Sequence, residues 1–185
     1  MNQSLKVIGI CGSLRQHSYN KLLLQAAGKL LADQVQFSIA DISGIPLFNQ
    51  DNEDPLPEVV ANLKSAIESA DALVISTPEY NFSIPGVLKN AIDWLTRPAG
   101  QNSLNGKPVA TIGATIGGFG TVEAQLHLRQ VLSVLNMYVV NQPMVLVAQA
   151  HTKFDDEGNL TDQMAQDLLK QLMTNLVNWT QQLKK

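Results

Sequence analysis

Four polar side chains follow an apolar stretch near the amino terminus: Ser13, Arg15, Ser18 and Asn20. A helical pattern starts at the last of them, so the set flanks a helix N-terminus, where free backbone N–H groups and the positive end of the helix dipole attract an anion. The serines and the asparagine add neutral donors, and the arginine adds a forked cationic donor that suits phosphate. This pattern therefore predicts that residues 12–20 form a phosphate-binding loop. The alternative is that the serine and the asparagine only cap the helix while the arginine is solvated.

The same loop lacks both of the common nucleotide motifs. It contains neither G-x-x-x-x-G-K-[ST], which marks NTP-hydrolysing P-loops, nor G-x-G-x-x-G, which marks dinucleotide-binding folds. A later stretch, GFGTVE at residues 118–123, starts like the second motif but ends in glutamate where that motif needs glycine. A phosphate held mainly by serine, asparagine and arginine side chains favours a mononucleotide cofactor.

Polar and aromatic residues occupy a second loop, TPEYNFSIP at residues 77–85, which follows a buried apolar run. A planar heterocycle needs a backbone edge for hydrogen bonds and a face to lie against, and Tyr80 and Phe82 offer such faces. Pro78 and Pro85 stiffen the loop and present its backbone. The alternative is that Tyr80 and Phe82 cover the end of the sheet or an oligomer contact.

Glycines dominate a third loop, GATIGGFGT at residues 113–121. Glycine lets the backbone come close to a ligand, and Thr115 is placed to reach the edge of a ring. Tight-turn geometry alone is the alternative explanation for the glycines.

Short apolar strands alternate with helical patterns along the chain. Strands are predicted at residues 5–12, 35–42, 72–78, 107–115 and 143–150, and helices at residues 20–33, 57–70, 85–97, 121–137 and 160–183, the last capped by Thr161. Continuous apolar strands separated by amphipathic helices indicate a parallel sheet covered on both faces. We expect one α/β domain, residues 1–185, with a doubly wound five-stranded sheet in the order 2-1-3-4-5.

Ligands of such a sheet bind beyond the carboxyl ends of its strands, where the strand order reverses. The three loops follow the first, third and fourth predicted strands. We therefore expect the loops to meet at one edge of the sheet and to hold one cofactor.

Composition and charge exclude several classes of function. The chain has 185 residues and a net charge of -3, so no basic excess is present to bind a nucleic acid or an anionic membrane surface. No segment approaches the ~20 apolar residues of a membrane-spanning helix. The single cysteine, Cys11, excludes an intramolecular disulfide framework and fits a reducing compartment, so we expect a cytoplasmic protein.

Two residue types that often carry chemistry are expected to carry none here. Cys11 ends a buried strand and has no second cysteine to pair with, which favours inert packing over a redox role. His17, His127 and His151 share no metal-ligand spacing with cysteines or carboxylates, so we expect no metal site.

Three segments resemble the signature sequences of the NADPH-dependent FMN reductase family: GSLRQHSYNK, TPEYNFSIPGVLKNAIDWLTRP and GKPVATIGATIGGFGTVEAQLHLRQVL. Within that family the chain is most similar to bacterial quinone and chromate reductases of flavodoxin-like fold, and the likeness covers essentially the whole chain. The resemblance implies bound FMN, NADPH or NADH as co-substrate, a small-molecule electron acceptor, and a homodimer or homotetramer.

The resemblance also implies roles for individual residues. The phosphate loop is matched by Ser13, Arg15, Ser18 and Asn20, the residues along the flavin ring by Pro78, Glu79, Tyr80 and Asn81, and the residues at its pyrimidine end by Thr115, Gly117 and Gly118. The cofactor carries the redox step, so no catalytic side chain is expected. Backbone N–H groups near Asn81 are expected to polarise the ring, and Glu79 to orient its loop.

Two other functions fit the same residues. A flavodoxin-type electron carrier has the same fold and cofactor but no substrate of its own, although such carriers are usually more acidic than a net charge of -3. A regulatory protein that lost the cofactor has no use for the donors of the first loop. The acceptor stays open among quinones, azo compounds, metal oxyanions and free flavin, and the preference between NADPH and NADH is open too. We also place Arg129 and Tyr138 at a subunit interface as a hypothesis.

Overall fold

A six-stranded sheet forms the centre of the protein, of which a computed structural model describes residues 4–31 and 35–184. Its strands are β1 (Leu5–Cys11), β2 (Val35–Ala40), β3 (Ala72–Ser76), β4 (Pro108–Ala114), β5 (Tyr138–Val139) and β6 (Val145–Val147). Their pairings are parallel, in the order β2-β1-β3-β4-β5, with β6 also paired to β4. The doubly wound order predicted from the sequence is confirmed.

The fifth position of the sheet is filled by two short segments instead of the single strand predicted at residues 143–150. β5 pairs with the start of β4, and β6 pairs with its end. Pro143 lies between the two segments, and proline has no N–H to contribute to a ladder. At the break, the Arg129 guanidinium donates to the backbone oxygens of Val140 and Asn141 at 3.2 and 3.4 Å. A side chain therefore replaces part of the missing ladder.

Among the described residues, four α-helices connect strands and a fifth follows the last strand: α1 (Tyr19–Leu30), α2 (Glu58–Glu68), α3 (Gly86–Leu95), α4 (Val122–Val134) and α5 (Gln163–Leu183). The predicted end of the first helix, at residue 33, lies outside the described residues. The last helix is capped by Asp162, whose Oδ1 accepts the Ala165 N–H at 2.9 Å, and not by Thr161 as predicted. Because α5 begins at residue 163, the side chain of residue 162 is the one that reaches its free amides. Within the described ranges, no helix is long and apolar enough to cross a bilayer.

Helices cover both faces of the sheet, as predicted. On one face, side chains of α1 and α5 pack against the β-strand residues Val7, Val74 and Ile112. On the other face, side chains of α2, α3 and α4 pack against Ile8, Ile10 and Ile75. Each large apolar side chain buried in this way stabilises the fold by about 1.5–3 kcal/mol. Burial on both faces explains why the central strands have continuous apolar sequences.

Candidate functional site

The carboxyl ends of β1, β3 and β4 meet at one edge of the sheet, which we call the carboxyl edge. The Gly12 N–H donates to the Ser76 oxygen at 2.8 Å, and the Thr77 N–H donates to the Ile112 oxygen at 2.9 Å. These bonds align the β1 loop (residues 12–18), the β3 loop (residues 77–85) and the β4 loop (residues 115–121). The sheet thus brings together the three loops that the sequence singled out.

Two serines of the β1 loop are buried and held by local hydrogen bonds. Ser13 Oγ accepts the Arg15 N–H, and Ser18 Oγ accepts the Lys21 N–H, both at 3.3 Å, so Ser18 caps α1. The Ser13 hydroxyl still has its own hydrogen to donate, the Ser18 hydroxyl also lies 4.0 Å from Cys11 Sγ, and the first amides of α1 are free of intrahelical partners. The Arg15 side chain is exposed beside them. This donor set fits a phosphate group, and the assignment of these residues to phosphate stays a prediction.

Asn20 lies beneath the β1 loop and is 3% exposed. Its Oδ1 accepts the Ala114 N–H at 2.9 Å and the Ser76 hydroxyl at 3.1 Å, while its Nδ2 donates to the Ala114 oxygen at 2.8 Å. The amide group therefore joins the start of α1 to the ends of β3 and β4. Its assignment to phosphate also stays a prediction.

A strained two-residue turn forms the tip of the β3 loop. Tyr80 and Ser83 exchange both backbone hydrogen bonds, at 3.0 and 3.1 Å, and the residues between them, Asn81 and Phe82, have φ of 52° and 60°. Such turns need positive φ at both central positions, which asparagine tolerates and phenylalanine does not. Pro78 is buried at the base of the loop. Strained residues held by the surrounding structure often mark functional sites.

Glu79 connects the β3 loop to α4. Its Oε2 accepts the Ala124 N–H at 3.1 Å, in the first turn of α4. The residue at the N-cap position of that helix, Thr121, has φ of 68° and makes no cap bond with its side chain. A carboxylate from another loop therefore serves as the cap, in a favourable place for negative charge. This contact agrees with the orienting role expected for Glu79.

The β4 loop is held against the segment that follows β6. Thr115 Oγ1 accepts the Gly117 N–H at 3.3 Å, and the Gly117 oxygen accepts the Gln149 N–H at 3.0 Å. The Ala150 N–H donates to the Thr115 oxygen at 2.9 Å. Gly117 and Gly118 are exposed, so their backbone is open to a ligand.

Two features of this edge do not follow from the sequence, which indicates Gly113 only as one of the loop glycines that let a ligand approach. A Cβ atom on Gly113 would lie 1.9 Å from Thr121 Oγ1 and 2.6 Å from the Thr77 oxygen, so this glycine is needed for packing of the three loops. Gln149, at φ of 49°, fixes the β4 loop from a distant part of the chain. No local pattern in the sequence marks Gln149, since its partner becomes its neighbour only through the sheet.

Large apolar side chains are exposed along all three loops of the carboxyl edge: Leu14, Tyr80, Phe82, Ile116 and Phe119, with exposed fractions from 49% to 75%. Monomeric proteins seldom expose such side chains together without a binding role. The edge therefore combines donors for an anion with apolar faces for a flat ring.

Cys11 and the histidines have ordinary surroundings. Burial raises the pKa of the Cys11 thiol, and its Sγ donates to the Ser13 oxygen at 3.5 Å, so the reactive thiolate is disfavoured. His127 Nδ1 lies 3.2 Å from Ser83 Oγ. Among residues 4–31 and 35–184, no group of three or more His, Cys, Asp or Glu side chains is placed to hold a metal ion.

A doubly wound parallel sheet with a ligand edge at its switch point defines the class of flavodoxin-like α/β proteins. Comparison with known proteins narrows this class. Residues 5–152 match the sequence model of the NADPH-dependent FMN reductases. The chain is 45% identical over 185 residues, the whole of both chains, to an NAD(P)H-dependent FMN reductase of Pseudomonas aeruginosa.

Two further relatives support the same family. A 2-hydroxy-1,4-benzoquinone reductase of Burkholderia sp is 42% identical over 176 residues, which are 95% of this chain and 96% of the relative. The solved structure of FerB, a flavoenzyme NAD(P)H:(acceptor) oxidoreductase from Paracoccus denitrificans, matches with a TM-score of 0.89 and 37% identity over 96% of this chain and 98% of FerB. The chain belongs to the NADPH-dependent FMN reductase family. The predicted family, its FMN cofactor and its oxidoreductase class are confirmed.

Proposed function

We propose that the protein is an FMN-dependent NAD(P)H:quinone oxidoreductase, built as one domain over residues 1–185. The observation that carries the proposal is the pairing, at one edge of the sheet, of donors for an anion with exposed aromatic and aliphatic side chains. FMN has a phosphate at one end and a flat ring at the other, so both halves of the edge would be used. The names of the relatives, an FMN reductase and a benzoquinone reductase, support the same chemistry.

The two halves of the site would hold the two ends of the cofactor. For the phosphate we propose Ser13, Arg15, Ser18 and the first turn of α1, with Asn20 beside them. For the ring we propose Pro78, Glu79, Tyr80 and Asn81 along one side, and Thr115, Gly117 and Gly118 at the pyrimidine end. Bound FMN supplies two-electron redox chemistry, which NAD(P)H drives and an acceptor completes. The protein's own contribution is orientation, through stiff loops, and backbone donors near the ring.

The exposed side chains favour a quinone as the acceptor. Tyr80, Phe82, Ile116 and Phe119 offer apolar surface to a flat, weakly polar molecule. A metal oxyanion would need cationic side chains, and the three loops contain one arginine, Arg15, and no lysine. That arginine is assigned to the cofactor phosphate. Metal oxyanions therefore rank below quinones, and the name of the benzoquinone reductase relative favours a quinone over azo compounds and free flavin, which are flat as well.

We further propose that the protein works in the cytoplasm as a homodimer or homotetramer built through the outer face of α4. Val134, Leu126 and Tyr138 are 82%, 48% and 40% exposed on or next to that face. Arg129 is half-buried there, and its Nε is buried without a hydrogen-bond partner, which is unusual for a polar atom. A second subunit would cover the apolar side chains. The one cysteine, buried and unpaired, supports a reducing compartment.

Light scattering coupled to size exclusion tests the assembly. We expect the wild type to have two or four times the mass of the 20.1 kDa chain, and Val134→Glu and Arg129→Ala to shift it towards the monomer. Met164→Glu, at a residue 72% exposed on α5, is the matched control and should leave the mass unchanged. A monomeric wild type contradicts the proposed interface.

A visible absorption spectrum tests the main proposal. We expect the purified protein, or the protein mixed with FMN, to be yellow, to bleach on anaerobic addition of NADPH or NADH, and to regain its colour when 1,4-benzoquinone is added. A yellow protein that does not bleach points to an electron carrier. A protein that binds no FMN overturns the proposal.

A further inference from the structure

The side chain of Asn20 makes three hydrogen bonds inside the protein, out of the four that a carboxamide can form. A carboxamide oxygen accepts two hydrogen bonds, and in Asn20 both are taken, by the Ala114 N–H and the Ser76 hydroxyl. One of its two N–H groups donates to the Ala114 oxygen. Rotation of the amide by half a turn would set donor against donor at Ala114, so only one orientation is compatible with these contacts.

The partners of Asn20 are the last residues of two strands that lead into the site. Ala114 ends β4 and is followed directly by Thr115, while Ser76 ends β3 and is followed by Thr77. They lie 94 and 56 residues along the chain from Asn20. Asn20 itself is the second residue of α1, one turn from the donors of the β1 loop. One amide thus ties the anion-binding half of the edge to the half that faces the ring.

We propose that Asn20 is a positioning residue and not a phosphate ligand. It fixes the start of α1 relative to the end of β4, so that the phosphate donors and the ring-binding backbone stand at the separation that a single FMN molecule requires. The inference rests on the proposed function, because it takes the carboxyl edge as the FMN site. It changes the role that the family resemblance implies for this residue.

The chemistry of the side chain explains why asparagine is needed at this position. Leucine has a similar size but would leave the Ala114 N–H and C=O buried without partners. Aspartate can accept the two incoming hydrogen bonds but has no N–H for the Ala114 oxygen, which its charge would repel. Both substitutions loosen the contact between α1 and β4.

Flavin binding with and without the phosphate group separates the two roles. Dissociation constants of FMN and of riboflavin, which has the same ring without phosphate, are measured by fluorescence titration of the apoprotein. For Asn20→Leu and Asn20→Asp we expect both affinities to fall by about tenfold or more, because the ring half of the site moves as well. For Arg15→Ala, as a variant of a phosphate donor, we expect only the FMN affinity to fall.

The spectrum of bound FMN supplies a second readout. Its absorption maxima and reduction potential respond to the surroundings of the ring, so we expect both to shift in the Asn20 variants. Asn102→Ala is the control for a purely structural loss. That side chain also bonds to backbone groups, the Leu135 oxygen and the Leu104 N–H, but at the opposite edge of the sheet. The Asn102→Ala variant should have a lower thermal midpoint of unfolding. Its FMN spectrum, its reduction potential and its affinities for FMN and riboflavin should stay as in the wild type.

Ser76→Ala keeps the test decisive where an Asn20 variant does not fold. It removes one hydrogen bond to Asn20. We expect the affinities for FMN and for riboflavin to fall by the same factor, which should be smaller than in the Asn20 variants. The inference is overturned where the riboflavin affinity and the spectrum stay as in the wild type while the FMN affinity falls, since Asn20 would then act on phosphate. It is also overturned where only the thermal midpoint changes. A wild type that binds neither flavin overturns the proposed function itself.

Discussion

Polar groups are bonded in opposite ways at the carboxyl edge of the sheet and at the amino edge, which is where β1, β3 and β4 begin. At the amino edge, Lys107 Nζ donates to the backbone oxygens of Glu68 and Ala70, where α2 ends. Lys64, only 5% exposed, donates from its Nζ to the oxygens of residues 95 and 101 and to Ser103 Oγ. The carbonyl groups at these helix ends are thus satisfied by the chain's own lysines.

At the carboxyl edge we propose that the corresponding groups bind a partner from outside. Helix N-termini lie here, so the free groups are N–H donors with a positive dipole end, and they need an acceptor or an anion. Glu79 supplies one for α4. At the start of α1, Ser18 Oγ accepts one amide, and the exposed Arg15 adds a cationic donor beside it. The direction of the helices explains the difference: lysines can bond to the helix C-termini at one edge, while the helix N-termini at the other edge favour negative charge.

Loss of the buried lysine at the amino edge should give the largest effect. Lys64→Met removes three hydrogen bonds from a cation whose pKa is lowered by burial. The Leu95 oxygen keeps the Ser103 N–H as a partner, and the Ser103 hydroxyl keeps Glu68. We expect a loss of about 3 kcal/mol in the free energy of unfolding, measured by urea denaturation. Lys89→Met, which breaks only an exposed pair with Asp93, should cost less than about 0.5 kcal/mol. Since the polar groups of this edge are bonded within the chain, the affinity for FMN should not change. A weakened affinity would contradict the proposal that FMN binds at the carboxyl edge alone.

Loss of the exposed arginine at the carboxyl edge should reverse that pattern. Arg15→Ala removes the charge-assisted hydrogen bond to phosphate that we propose, so we expect FMN binding to weaken by about 1.5–3 kcal/mol. The free energy of unfolding of the apoprotein should stay unchanged, because the side chain is exposed. Calorimetric titration with FMN measures the first quantity, with Lys89→Met as the control. An unchanged FMN affinity would show that the β1 loop has another role.

Relief of the strained turn should stabilise the protein at the expense of its activity. In Phe82→Gly the residue at φ of 60° becomes one that adopts this conformation freely, so we expect a gain of about 1 kcal/mol in stability. The KM for a quinone should rise, because an aromatic face 70% exposed at the site is lost. Asn136→Gly is the control at the amino edge, where asparagine already tolerates φ of 59° and a smaller gain is expected. An unchanged KM would show that Phe82 does not contribute to binding of the quinone.

The smallest effect concerns an ion pair at the amino edge and its dependence on pH. Burial acts to raise the pKa of Asp71, but hydrogen bonds from Lys184 Nζ and from the Lys6 N–H outweigh it and hold the pKa below its ordinary value. A carboxyl with a lowered pKa in the folded state stabilises the fold above its unfolded pKa of about 3.9 and loses this contribution as the pH falls through the folded value. Asp71→Asn should therefore lower the thermal midpoint at pH 7 and match the wild type in acid. A difference that persists below pH 3 would assign the effect to packing instead.

The arrangement of the fold could be predicted from the sequence because it depends on local patterns. Continuous apolar strands and amphipathic helices alternate, and right-handed crossovers leave few orders for such a sheet. Two details could not be predicted in this way. The fifth strand is divided around Pro143, where Arg129 completes the backbone hydrogen bonds, and α5 is capped by Asp162 in place of Thr161. Each detail depends on where a strand or helix begins or ends to within a few residues, and a hydrophobic pattern does not fix these boundaries so closely.

The amino-acid sequence alone was enough to predict three loops as the candidate site, since donors for phosphate, aromatic residues and glycines each occur at the end of an apolar strand. Only the tertiary structure decided what the individual side chains do. Asn20 and Glu79 both belong to these loops by sequence, yet their polar atoms bond to Ala114 and to Ala124, residues far away along the chain. The physical reason is that a hydrogen bond depends on distances of about 3 Å between atoms. The sequence lists the donors and acceptors, and the packing of the sheet decides which of them meet.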